Sequence, residues 1–251
     1  EEGIEGLKVE IYGGDISVIS TDDGINAANS NMEEDVEREN AKIAIYGGKI
    51  YVNAEGDGID SNGMICIYGG EITIEGPTGN DNASVDYDTT ALIKEGTLLA
   101  TGSAGMVVGF SRESEQGWML YVLPDKMVAG ETIIIMNKDE EVIFEAAPDK
   151  EFQSIIISTS GFENGETYTL VCGDMEEEFT LENNSFSNSR GMMPFGEGFE
   201  HGAGMMPHEF PEGMESQMLP PPDRMEGERP EPPEGGFMAG EMPELPEPPQ
   251  N

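Results

Sequence analysis

The chain repeats itself, and the repeat limits what it can fold into more than any other feature. Ile11-Tyr12-Gly13-Gly14 returns as Ile45-Tyr46-Gly47-Gly48 and Ile67-Tyr68-Gly69-Gly70, with a weaker copy at Ile93-Lys94-Glu95-Gly96. The later copies lie 22 and 26 residues apart. The first interval is 34 residues, but it contains a polar stretch at 29–38 that reads as an outward loop, and removing it restores a period near 22. A second ladder runs in phase with the first: Glu2-Gly3-Ile4-Glu5, Asp23-Gly24-Ile25-Asn26, Asp57-Gly58-Ile59-Asp60, Ala83-Ser84-Val85-Asp86 and Ala104-Gly105-Met106-Val107. Such a period belongs to a chain that stacks short units on one another.

Between the ladders, apolar and polar residues alternate, as in Val9-Glu10-Ile11, Ile43-Ala44-Ile45 and Ile65-Cys66-Ile67. That is strand periodicity with one face buried. Each repeat then supplies three short strands, broken at the Gly-Gly and Asp-Gly corners. The resulting fold class is all-β, a single-stranded parallel β-helix, with Val9, Ile43 and Ile65 stacked inside and Tyr12, Tyr46 and Tyr68 in an outer ladder. Leucine-rich repeats have a similar period, but their leucine and asparagine pattern is missing here.

The repeat occupies residues 1–112. Beyond it, strand-like runs at 119–123, 132–136, 142–146, 154–158, 168–172 and 178–181 predict an antiparallel module over 113–186 that caps the last rungs, with Trp118 at its start as a core residue. From 187 to 251 the composition changes: 13 of the 16 Pro, 9 of the 16 Met and both His lie there, which predicts a disordered or extended tail. No histidine is left in the folding part, so His-dependent catalysis and His zinc sites are disfavoured. Cys66 and Cys172 fit no spaced motif, and the sequence leaves their pairing open.

Charge enters next. Residues 1–186 carry 38 acidic against 9 basic side chains, and the whole chain has a formal net charge of -39. Nucleic acid is therefore not an expected partner. No apolar run is long enough for a transmembrane segment, and Glu1-Glu2-Gly3 is not a signal peptide.

The acidic residues gather at the Asp-Gly corners. In a stacked fold Glu2, Glu5, Asp22, Asp23, Asp57, Asp60, Asp81, Asp86 and Asp88 form a ladder of like charges, which bound cations would relieve. Hard oxygen donors suit Ca2+, with Asn26, Asn62, Asn80 and Asn82 as neutral ligands. The alternative is that Asp-Gly and Asn-Gly are simply turn formers. Tyr12, Tyr46 and Tyr68 offer ring faces for sugars, or equally a packing ladder.

The ordered set of corners, from Glu1-Glu2-Gly3-Ile4-Glu5-Gly6 through Asp22-Asp23-Gly24-Ile25-Asn26-Ala27-Ala28 and Gly56-Asp57-Gly58-Ile59-Asp60-Ser61-Asn62-Gly63 to Ala100-Thr101-Gly102-Ser103-Ala104-Gly105-Met106, resembles one family. It is the secreted carbohydrate-binding domain proteins of Gram-positive bacteria, with a pectate-lyase-like β-helix. The resemblance covers residues 1 to about 182. It implies a right-handed coil with calcium at acidic corners, an extracellular or cell-surface location, and non-catalytic binding of acidic polysaccharide such as polygalacturonate (pectin), or of cellulose. Members usually carry further rungs before the first corner, so the resemblance also implies an N-terminally truncated chain. This sequence departs from the family in its acidic insertion and at Ala83-Ser84, which replaces Asp-Gly.

No enzyme is expected. Pectate lyases need an Arg or Lys base beside a calcium-bound uronate, and Arg occurs in the folding part only at Arg38 and Arg112. The Asp22-Asp23 pair has no supporting His. The rival reading is a structural or adhesive surface protein whose calcium only stabilises it.

Overall fold

A computed structural model describes residues 1–28 and 40–189. The expected loop at 29–38, and all but the first three residues of the expected tail at 187–251, lie outside the described residues. Among those described, nineteen strands form four sheets, and the fold is all-β.

Each repeat contributes one strand to each of three parallel sheets. The first sheet stacks β1 (Ile4–Glu5), β4 (Ile25–Ala27), β7 (Ile59–Ser61) and β10 (Val85–Tyr87). The second stacks β2 (Lys8–Ile11), β5 (Lys42–Ile45), β8 (Met64–Ile67) and β11 (Thr90–Ile93). The third begins with β3 (Asp15–Ser20), β6 (Lys49–Ala54), β9 (Glu71–Glu75) and β12 (Thr97–Gly102). Register follows the sequence repeat: Val9 pairs with Ile43, Ile43 with Ile65, and Ile65 with Ala91. One apolar column from each sheet therefore meets in a common interior, where Ile25, Ile43, Ile45, Ile59, Ile65 and Ile74 are fully buried. Each such side chain contributes roughly 1.5–3 kcal/mol relative to exposure.

The Gly-Gly corners close the turns between the second and third sheets. Gly14, Gly48, Gly70 and Gly96 all adopt φ between 107° and 115°, a conformation that L side chains rarely take. A Cβ on Gly96 would also stand 2.8 Å from the carbonyl oxygen of Gly70, one rung away. The weaker fourth copy of the motif keeps only this glycine, which is the one the geometry requires.

The C-terminal module does more than cover an end. β16 (Phe152–Ser158) pairs antiparallel with β12 and so extends the third sheet, followed by β13 (Trp118–Met127) and the parallel β19 (Ser185–Ser187). A fourth sheet runs β15 (Val142–Ala146), β14 (Ile133–Met136), β17 (Thr167–Cys172) and β18 (Met175–Thr180). The third sheet is thus a wall between two cores. Leu98, Ala100, Leu120 and Ile156 face the repeat interior, while Leu99, Met119, Ile155 and Ile157 face the module. Trp118, at the start of the module, is a buried core residue as expected, and alternation along β13 turns it toward the repeat core.

A second tie crosses the outer face of the third sheet. Lys150 donates to the carbonyl of Ala54 (2.7 Å) and to Asn53 (3.3 Å) and pairs with Glu55 at 3.2 Å. Glu75, buried, accepts from the Asp149 N–H and the Tyr51 hydroxyl. Ordered pairing continues past the expected boundary at 187, since Asn188 bonds both the N–H and the carbonyl of Val122. Cys66 and Cys172 are free, buried thiols, and Cys172 lies in the module core. No described helix is long and apolar enough to cross a membrane.

Candidate metal and glycan site

The strand register of the first sheet places Glu5, Asn26, Asp60 and Asp86 in one column. Backbone bonds from Gly3 to Asp23, Gly24 to Asp57 and Gly58 to Ala83 place Glu2, Asp23, Asp57 and Ala83 in a second column beside it. Gly24 and Gly58 are glycine because a Cβ at either would run into the next rung; at Gly58 it would meet the carbonyl of Ser84 and Ile74.

Where the columns meet, Asp23, Asp57 and Asp60 each bring a carboxylate oxygen within 4.8 Å of the others. The three come from two neighbouring rungs. Asp23 accepts from the N–H of Asp57 (2.8 Å), and Asp57 accepts from the N–H of Ala83 (2.5 Å), so each carboxylate ties its rung to the next. Asn26 donates through Nδ2 to Glu2 and to Asp23, both at 3.1 Å. Its Oδ1 is buried with no hydrogen-bond partner.

Burial followed by the charges of Asp57, Asp86, Asp23 and Asp88 pushes Asp60 up to about 8. Burial pushes Asp57 up to about 6, against the pull of the Ala83 N–H. Asp23 and Asp86 are also raised by burial, and Glu2 is raised by burial and then by its hydrogen bond with Glu5. An uncompensated carboxylate group of this density is costly when ionised. The three converging carboxylates are oxygen donors of the kind that a hard cation takes, and the orphaned Oδ1 of Asn26 belongs to a side chain bonded to one of them, Asp23.

The other expected ligands do not share this cluster. Asp22 is exposed and gives its carbonyl to Ser20 Oγ and the Gly56 N–H. Asp81 is exposed, and Asn82 uses its carbonyl to bind Ser103 Oγ. Glu2 and Glu5 pair one rung before the cluster, while Asp86 holds the N–H of Tyr87 one rung after it. Asn62 and Asp88 form a third column, next to that of Asp60 and Asp86, through backbone bonds to Ala27 and Ser61.

On the second sheet Tyr12, Tyr46 and Tyr68 stack face to face, with centroids 4.7 Å apart at both steps and interplanar angles of 3° and 6°. Their inner faces are therefore in contact with one another. What the row offers outward is its ring edges and the face of Tyr12, which is 56% exposed. Burial pushes the Tyr68 hydroxyl up to about 12. Sequence reasoning did not find the inter-sheet role of Glu75 and Lys150. The only signal was an acidic residue in the column that also holds Asn53 and Thr101.

A family model described as "Carbohydrate-binding domain-containing protein" matches residues 1–113. The matched span contains the repeat strands β1 to β12, the Asp23–Asp57–Asp60 cluster and the tyrosine stack, and the similarity supports carbohydrate binding for that part of the chain. No curated protein and no solved structure matches the chain.

Proposed function

We propose that this protein binds acidic polysaccharide, polygalacturonate above all, without cleaving it, by way of calcium held at its acidic corner. The observation that carries the reading is the convergence of Asp23, Asp57 and Asp60 within 4.8 Å beside the unpartnered Oδ1 of Asn26. These residues would hold the ion. Bound there with coordination to spare, calcium supplies a positive centre that accepts a uronate carboxylate, which relieves the repulsion between a polyanionic body and a polyanionic sugar. The family match over residues 1–113 supports a glycan as the partner.

The three-sheet stack is read as a right-handed parallel β-helix of the pectate-lyase type. Connections between parallel strands of one sheet are right-handed in about 98% of cases, which supports that hand. The location is extracellular or at the cell surface, where calcium is plentiful and such polymers occur.

A rival reading, stabilising calcium in an adhesive or structural protein, draws support from the hydrogen bonds by which Asp23 and Asp57 tie rung to rung. Calorimetric titration with polygalacturonate oligomers, in calcium and then in chelator, separates the two while circular dichroism follows the fold. Saturable binding that needs calcium supports recognition. A folded, calcium-loaded chain with no affinity for any glycan leaves the scaffold.

A further inference from the structure

The outer face of the second sheet has an electrostatic character opposite to that of the acidic corner. Because Val9, Ile11 and their equivalents point inward, the alternate residues make three outward columns. The first is Lys8, Lys42, Met64 and Thr90; the second is Glu10, Ala44, Cys66 and Leu92. Backbone bonds from Tyr46 to Ile11, Tyr68 to Ile45 and Lys94 to Ile67 set the third as Tyr12, Tyr46, Tyr68 and Lys94.

Two of the three lysines on this face, Lys8 and Lys42, are unlike the others. Of the chain's seven lysines, Lys49, Lys94, Lys126, Lys138 and Lys150 each lie within 4.0 Å of a carboxylate. Among the described residues Lys8 and Lys42 have no such partner, and they are direct neighbours on adjacent strands. Two like charges side by side repel, in a body with 38 acidic side chains within its first 186 residues to draw on. Glu10, the single acidic residue in these three columns, is engaged by the Tyr12 hydroxyl at 3.1 Å.

The tyrosine row lies beside them. Tyr12 reaches back over its own strand to Glu10, and the parallel stacking of Tyr46 and Tyr68 sets those rings in the same attitude, over Ala44 and Cys66, both buried. Burial raises the Cys66 thiol, and the charge of Lys42 in the neighbouring column opposes that rise. A phenol row and an ammonium pair thus flank the middle column of the face from opposite sides.

We propose that this face contacts an acidic polysaccharide directly, without a metal ion, Lys8 and Lys42 receiving carboxylates of a uronic-acid chain and the edges of Tyr12 and Tyr46 its hydroxyls, the Tyr68 hydroxyl being buried. The proposal rests on the carbohydrate-binding reading, but not on calcium. Charge complementarity selects a polyanion. The family match, which spans the face, and the row of phenols select a glycan over an acidic peptide. The positive stripe ends at Met64, so it accommodates two carboxylates spaced by about one strand separation, ~4.8 Å.

The test is affinity of the full chain for polygalacturonate oligomers at low salt, measured with chelator and with calcium, for the wild type, Lys8→Ala/Lys42→Ala, Lys8→Arg/Lys42→Arg and Asp57→Asn/Asp60→Asn. Expected is a chelator-resistant, salt-sensitive component that the double alanine weakens by roughly tenfold and the double arginine retains. The calcium-dependent component is to fall only in the aspartate variant. Binding in chelator that the double alanine leaves unchanged would overturn the proposal, as would wild-type binding confined to calcium; the latter leaves the calcium reading standing. Chelator-resistant binding that the double alanine weakens and the aspartate variant keeps, with no calcium component at all, would sink the calcium reading and uphold this face. Equal affinity for polyglutamate of matched length would overturn the assignment to a glycan.

Discussion

Asp60→Asn separates the cost of the acidic corner from its use. Asp60 is partly buried near Asp57, Asp86 and Asp23, and its pKa is raised from 3.8 to about 8. In metal-free protein the folded state therefore keeps a proton that the unfolded chain releases above about pH 4. The folded state binds more protons through this interval, so the contribution of Asp60 to stability is greatest at low pH and falls as pH rises toward 8. At about 1.4 kcal/mol per pH unit, the loss between pH 5 and pH 8 amounts to at most about 4 kcal/mol. That is a large fraction of the total stability of a typical domain. Asparagine keeps the shape and has no proton to lose. Denaturant unfolding in chelator, from pH 5 to pH 9, is expected to show the wild type declining and Asp60→Asn declining much less, so that the variant is the more stable at pH 8. In calcium the order is expected to reverse, because the variant has lost a charged ligand. Parallel pH profiles for the two proteins in chelator, or a wild type that gains stability from pH 5 to pH 8, would refute the reasoning.

Other outcomes follow from the packing. Tyr46→Ala removes the middle ring of a stack with 4.7 Å steps and is expected to cost about 1–3 kcal/mol, read by thermal or denaturant unfolding. Gly58→Ala forces a Cβ against the carbonyl of Ser84 and against Ile74, so it is expected to lower stability by more than about 2 kcal/mol or to prevent folding, seen in expression and circular dichroism. Lys150→Ala removes the bonds to Ala54 and Asn53 and is expected to speed hydrogen exchange on β6 more than on β2. Calcium is expected to raise Tm in a concentration-dependent way, and magnesium to raise it less, since its stricter octahedral demand suits an irregular corner poorly.

The stacking was legible because a period of about 22 residues carries register with it. Once Ile11, Ile45 and Ile67 align, the pairing of Val9 with Ile43 and the tyrosine stack follow from strand geometry. The columns of the acidic corner were legible for the same reason. Which carboxylates converge was not, since that depends on side-chain direction. Asp23 and Asp57 are turned by the N–H groups of Asp57 and Ala83, whereas Asp22, next in sequence, points to solvent. Nor did hairpin spacing reveal that β16 would join β12. Strands Phe152–Ser158 and Thr97–Gly102 are far apart in the chain, and both carry apolar residues on successive positions, the pattern of a strand buried on two faces. The short β19 gave no signal, being three residues long with serines at both ends.

The measurement that bears most directly on the account is calorimetry of the full chain and of Asp57→Asn/Asp60→Asn with polygalacturonate oligomers at saturating calcium, both proteins being shown folded by circular dichroism. The account predicts saturable binding by the wild type and loss of its calcium-dependent part in the variant. Equal calcium-dependent affinity in the two proteins would contradict the assignment of that calcium to the Asp23–Asp57–Asp60 corner.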